Sequence, residues 1–217
     1  LRGQILTYSE NRMIVDAARD FRASFAGLKN DTSMNVPFAS SNIADYRDEL
    51  AQYYERDYAS EYKARNHGKA ANVGRMLSGL DDESVLLQHL YIRANKNPLG
   101  SKDALMDAGD GSEWSQHHAY YHPSIRNFLG EFGYYDIFIC DPESGDIVYS
   151  VFKELDFTTS LKTGPWAEAA PGRMAAASAT KTTAERMGSG YLLAGAGAGA
   201  GAGGGGARAG AGLARTR

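Results

Sequence analysis

Apolar residues recur three and four positions apart at Ile14, Ala17, Phe21, Phe25 and Leu28, which predicts one helix from about Leu1 to Leu28. Asn30-Asp31 and the polar stretch to Asn35 end it, with Pro37 in the loop beyond. A second helical pattern runs from Ile43 to Arg65 through Tyr46, Leu50, Tyr54, Tyr58 and Tyr62, and Asn66-His67-Gly68 is its stop. Asp81 or Asp82 caps a third helix carrying Leu86, Leu87, Leu90 and Tyr91, and residues 95–100 form a loop. The next helix is predicted to start near Pro123, whose fixed φ suits a first helical position, and to stop at Gly133. Two β-rich runs, Tyr135–Cys140 and Ile147–Phe152, flank the turn chemistry of Asp141–Asp146 and read as a hairpin. A two-stranded hairpin is marginal alone, so other elements must cover it.

The pattern stops after Leu161. From Ala194 to Ala214 the chain is nearly all Gly and Ala, and the basic residues Arg173, Lys181, Arg186, Arg208, Arg215 and Arg217 outnumber the acidic Glu168 and Glu185. Such sequence has little apolar area to offset its ordering entropy, so the chain from about Ala169 is expected to be largely without packed structure. The 217 residues then divide into a domain over 1–166 and a low-complexity tail over 167–217. A GC-rich gene read out of frame gives the tail's composition. No apolar run of about 20 residues is present to span a membrane. Leu1 opens inside what reads as a helix with no leader before it, as in a fragment whose upstream part is removed.

A net charge of −3 without a basic run leaves no electrostatic footprint for nucleic acid. The single cysteine, Cys140, excludes an internal disulfide and a multi-thiolate zinc site, and its apolar neighbours suit a buried, inert thiol. There is no phosphate-binding loop ending in GK[ST] and no serine nucleophile elbow.

The segments Tyr121–Leu129, Phe132–Phe138 and Gly145–Phe157, with Asn97–Lys102, Thr158–Leu161 and Gly164-Pro165-Trp166, together resemble Cache-type sensor domains. The group is the one found ahead of methyl-accepting chemotaxis signalling domains and of adenylate/guanylate cyclase domains. The resemblance covers roughly Leu1 to Trp166 and implies an α/β fold. A long N-terminal helix and further helical segments would pack on a partial antiparallel PAS/Cache-like sheet, followed by a disordered tail. It implies the extracytoplasmic, periplasmic ligand-sensing module of a membrane-anchored receptor that binds a small molecule, needs no cofactor and has no catalysis of its own. The N-terminal helix would pack on its equivalent in a homodimer. The alternatives are the sensor part of a nucleotide cyclase whose catalytic domain is missing, or a truncated product without function.

Four residues are candidates for the ligand site. Tyr121 and Tyr149 would line a pocket, or merely pack helices onto the sheet. Lys153 and Asp156 would hold a ligand's carboxylate and amine, or end a strand against solvent. Glu154 and Asp156, two apart, would share a strand face. His118 and His122 have the four-residue spacing of paired metal ligands, but Pro123 is expected to turn His122 out of helical geometry, leaving histidines that bond locally.

Overall fold

The computed structural model describes residues 2–35, 38–65, 67–167 and 191–196. It is a mixed helical and antiparallel-sheet fold. In place of one N-terminal helix there are two, α1 (Arg2–Ser9) and α2 (Arg12–Gly27), followed by a 3-10 turn at Leu28–Asn30. Asn11 makes the break: its backbone is extended, and its side chain accepts from the Met13 N–H to cap α2. The apolar stripe of α2 (Ile14, Ala17, Phe21, Phe25) is buried within the chain, where α2 packs on the longest helix.

The second pattern forms α3 (Ser40–Tyr53), a π turn (Tyr54–Tyr58) and α4 (Ala59–Arg65). A short α5 (Val73–Ser78), which the pattern did not reveal, precedes α6 (Asp82–Gln88) and a second π turn (His89–Arg93). Of the two expected cap residues, Asp81 is the one that caps α6, accepting from the Ser84 N–H at 2.8 Å. Single π turns recur at functional sites. Here both lie in the bundle of α3 and α6, where Tyr54 donates to the buried Gln88 side chain.

The longest helix, α7 (Glu113–Phe132), begins ten residues before its expected start near Pro123. Ser112 caps it by accepting from the Ser115 N–H, and Gly133 closes it in the left-handed conformation. Pro123 therefore sits inside the helix. It lies on the exposed side, where water can serve the carbonyl of Ala119 that lost its helical donor.

β1 (Tyr134–Cys140) and β2 (Ile147–Ser150) pair antiparallel about the turn at residues 141–146, as expected. β1 is buried on both faces: Ile137 and Ile139 join the main core, whereas Phe138 and Cys140 cluster with Ile147 and Leu161. The Arg22 guanidinium pairs with Asp141 at 2.8 Å and ties α2 to the hairpin turn. A third strand, β3 (Tyr191–Ala196), pairs with the other edge of β1, giving the order β2-β1-β3. This departs, for these six residues, from the expectation that the chain from about Ala169 is largely without packed structure. The Tyr191-Leu192-Leu193 run precedes the Gly-Ala repeat and has the apolar character of a strand. The rest of the tail, with Arg173, Lys181 and Arg186, lies outside the described residues.

Candidate functional site

Residues at four-position spacing along α7, Trp114, His118 and His122, project from one helix face into the space above β2. All three are fully buried. The two imidazoles stack with centroids 4.3 Å apart, and His118 also stacks on Trp114 at 5.3 Å. The proline that was expected to turn His122 aside leaves its helical position intact, so the histidines do share a face. Tyr149 enters from β2, Tyr91 from the second π turn, and Phe21 from α2, whose ring lies 4.7 Å from Tyr149. Together they form an aromatic box.

Each histidine's hydrogen-bond partners determine its tautomer. The carbonyl of Asp103 lies 2.8 Å from His122 Nε2 and can only accept, so Nε2 carries the proton and Nδ1 accepts from the Tyr149 hydroxyl at 2.7 Å. Likewise His118 Nδ1 donates to the Met106 carbonyl at 2.7 Å. That leaves His118 Nε2 as a buried acceptor with no partner among the described residues. Burial, then the Lys153 charge, keeps His118 neutral well below the usual histidine range, and the same causes bring His122 down to about 2.

Lys153 supplies the cation. It follows β2 with φ at +53°, a left-handed conformation that turns its side chain back over the sheet. Nζ lies 5.3 Å from the Tyr149 ring centroid and 5.7 Å from that of Tyr91. It donates to the carbonyls of Ser150 at 2.9 Å and Val151 at 3.1 Å, and the carboxylates of Asp136 and Asp103 act on it by charge, without a direct ion pair among the described residues. Burial brings its ammonium down to about 7, with Asp136 and Asp103 pulling the other way. Asp136, on β1, organises this turn. Its carboxyl accepts from the Ser150 hydroxyl and from the N–H groups of Ile137, Val151 and Phe152. Burial and the neighbouring Asp156 push it up to about 7.

Of the four candidate residues, Tyr149 and Lys153 meet in the box. Tyr121 is buried on α7 but faces α2, donating to Asp20 at 2.6 Å. Asp156 is buried outside the box, and its charge acts on Tyr54 and Tyr58 as well as on Tyr135 and Asp136 of β1. Glu154 accepts from the Tyr135 hydroxyl at 2.8 Å. The expected sharing of a strand face by Glu154 and Asp156 does not occur, because β2 ends at Ser150 and the chain continues through turns. Trp114 and Asp103 were not singled out from the sequence, and Tyr91 was read only as part of a helix's apolar side. The spacing of Trp114, His118, His122 and Ile125 was the available signal, hidden by reading Pro123 as a helix start.

No group of three or more His, Cys, Asp or Glu among the described residues is placed to hold a metal. Elsewhere, an open polar cleft of about 360 Å³ lies between α5, α6 and the loop after the hairpin, with Arg75, Asp81 and Asp146 on its walls. No described helix is long and apolar enough to cross a membrane. Comparison with protein-family models, curated proteins and solved structures finds no match.

Proposed function

We propose that this chain is a ligand-sensing module, the extracytoplasmic part of a bacterial transmembrane receptor of the chemotaxis type, with no catalysis of its own. The three strands would be part of a PAS/Cache-like sheet, with the ligand held between it and α7. The observation that carries this reading is the box itself. Among the described residues, a buried ammonium without a direct carboxylate partner stands near a buried histidine acceptor that lacks a donor. Such a pair suits a small ligand with an acidic group for Lys153 and an N–H or O–H for His118.

Phe21 connects the box to signalling, because α2 supplies that wall and is bound to the hairpin turn through Arg22 and Asp141. A ligand favouring one arrangement of Tyr149 against Phe21 would bias α2, the element leading towards the membrane in such receptors. A homodimer belongs to the same reading. Since the apolar stripe of α2 is buried inside the chain, the dimer would use the side bearing Arg12, Asp16 and Arg19. Sedimentation at high concentration tests it, and a strict monomer counts against it.

Thermal-shift measurement of the whole chain against L-amino acids and short mono- and dicarboxylates tests the ligand site. At least one compound is expected to raise the melting temperature, and Lys153→Met and Tyr149→Phe to abolish that rise while remaining folded. A panel without effect, or a rise that survives in both variants, would remove the box from the function.

A further inference from the structure

We propose that residues 103–108 form a gate over the aromatic box, latched to α7 by His118 and His122, and that acid opens it. The segment is bounded by two anchors. At its start Lys102 is tied to Asn95, with Nζ donating to the Asn95 carbonyl at 2.6 Å and Asn95 Nδ2 donating to the Lys102 carbonyl at 3.0 Å. At its end Gly109 and Gly111 are held by Asn35 and Ser33, whose side chains donate to their carbonyls at 2.8 and 2.9 Å. Gly109, at φ +74°, has no atom of the described residues within 4 Å of where a Cβ would stand, so the chain has room to turn there.

Between the anchors, the gate is held by side chains of α7. His122 donates to the Asp103 carbonyl, His118 to the Met106 carbonyl, and Arg126 pairs with the Asp103 carboxylate at 2.9 Å. The Ala108 N–H reaches the Tyr91 hydroxyl at 3.4 Å, a longer and weaker contact. Ala104 and Asp107 face solvent while the buried Asp103 faces inward, as befits a cover.

The charges around the latch make it sensitive to acid. Lys153 faces the histidines from the end of β2, Tyr149 from β2, Tyr91 from the second π turn, Arg126 from α7 and Asp103 from the gate. Asp136 acts on Tyr149 and Lys153 from β1, which does not move with the gate, and Asp107 and Asp110 act on Tyr91. A proton on either imidazole would add a cation to an enclosure that already holds Lys153. Opening admits water and returns the rings to their ordinary titration. The closed state lowers both histidines, so their contribution to its advantage is complete above the free histidine value of about 6.5. It falls as pH drops below that value, by about tenfold per histidine per pH unit.

The ligand that an open gate would admit rests on the proposed function, but the opening itself is measurable without one. Hydrogen exchange of the whole chain, corrected for intrinsic rates, would be compared at about pH 7.5 and about pH 5.5. Exchange across residues 103–108 is expected to rise at least about tenfold in acid, while β1 and β2 stay unchanged. In the double variant His118→Gln and His122→Gln, whose amides still donate but do not take up a proton, the acid response should vanish. Arg126→Gln alters a half-exposed side chain, so it decides the matter if the double variant fails to fold. It should raise exchange severalfold at the higher pH, in the gate alone. The proposal is overturned by no acid response, by one shared equally with the hairpin, by one that persists in the double variant, or by an Arg126→Gln gate as protected as before. A ligand panel without effect alongside an acid-opened gate would sink the sensing reading and leave the gate. Ligand binding with an acid-insensitive gate would do the reverse.

Discussion

Asp136 shows how much one buried carboxyl can organise. It gathers three backbone N–H groups and the Ser150 hydroxyl, and so shapes the turn that delivers Lys153 into the box. Removing it leaves donors buried without acceptors, which costs more than the bonds themselves contribute. Asp136→Ala is therefore expected to lower stability by about 3–5 kcal/mol. Asp136→Asn keeps one oxygen for the N–H groups, and the Ser150 hydroxyl can turn to accept from the new amide, so the loss should be nearer about 1 kcal/mol. Urea unfolding of both variants checks this, and equal, mild losses would show that the turn does not depend on the carboxyl. The residues that make the box were only half legible beforehand. Tyr149 and Lys153 stood out as aromatic and charged positions beside a strand. The acceptor role of His118 depends on the Met106 carbonyl, twelve residues away, which no local spacing reveals.

At the scale of elements, α7 is where local reasoning and the fold disagree most. Proline at a first helical position is a sound expectation, and the cap at Ser112 outweighed it because a longer apolar face was there to be buried. Trp114, His118, Tyr121, His122, Ile125 and Leu129 together pack on α2 and the sheet, and that burial carries the helix through Pro123. The proline is then a tolerated defect. Pro123→Ala restores an N–H for the Ala119 carbonyl and should stabilise the chain, by about 1–2 kcal/mol once the lost rigidity of the unfolded state is counted. Thermal and urea unfolding test it. A destabilised variant would show that the proline's local geometry is needed to dock the two histidines. The N-terminal break has the opposite logic: the apolar stripe starts only at Ile14, so Asn11 caps a new helix with little burial opposing it.

For the whole molecule, the open question in the sequence was where the fold ends. The energetic argument against the Gly-Ala run is sound for those residues, yet it passed over Tyr191–Ala196, whose backbone pairs along β1 from Tyr134 to Cys140. Truncation after Ala167 is therefore expected to lower the melting temperature by several degrees and to promote association, because β1 would present an unpaired edge. An unchanged melting temperature in a monomeric product would show that β3 adds no net stability.

What the sequence determined by itself was whatever depends on neighbours within a few turns. This includes the hairpin about residues 141–146, the Asp81 cap, the Gly133 stop, and the helical stripe from Ile43 to Tyr62, which forms with a π turn inside it. Each is a local balance of periodicity, capping and turn chemistry. Only the tertiary structure decided the rest. The extent of α7, the pairing of β3 across about fifty intervening residues, and the meeting of His118, His122, Tyr149 and Lys153 under one segment of loop all rest on burial shared between distant elements. That energy belongs to no single stretch of chain, so no single stretch could display it.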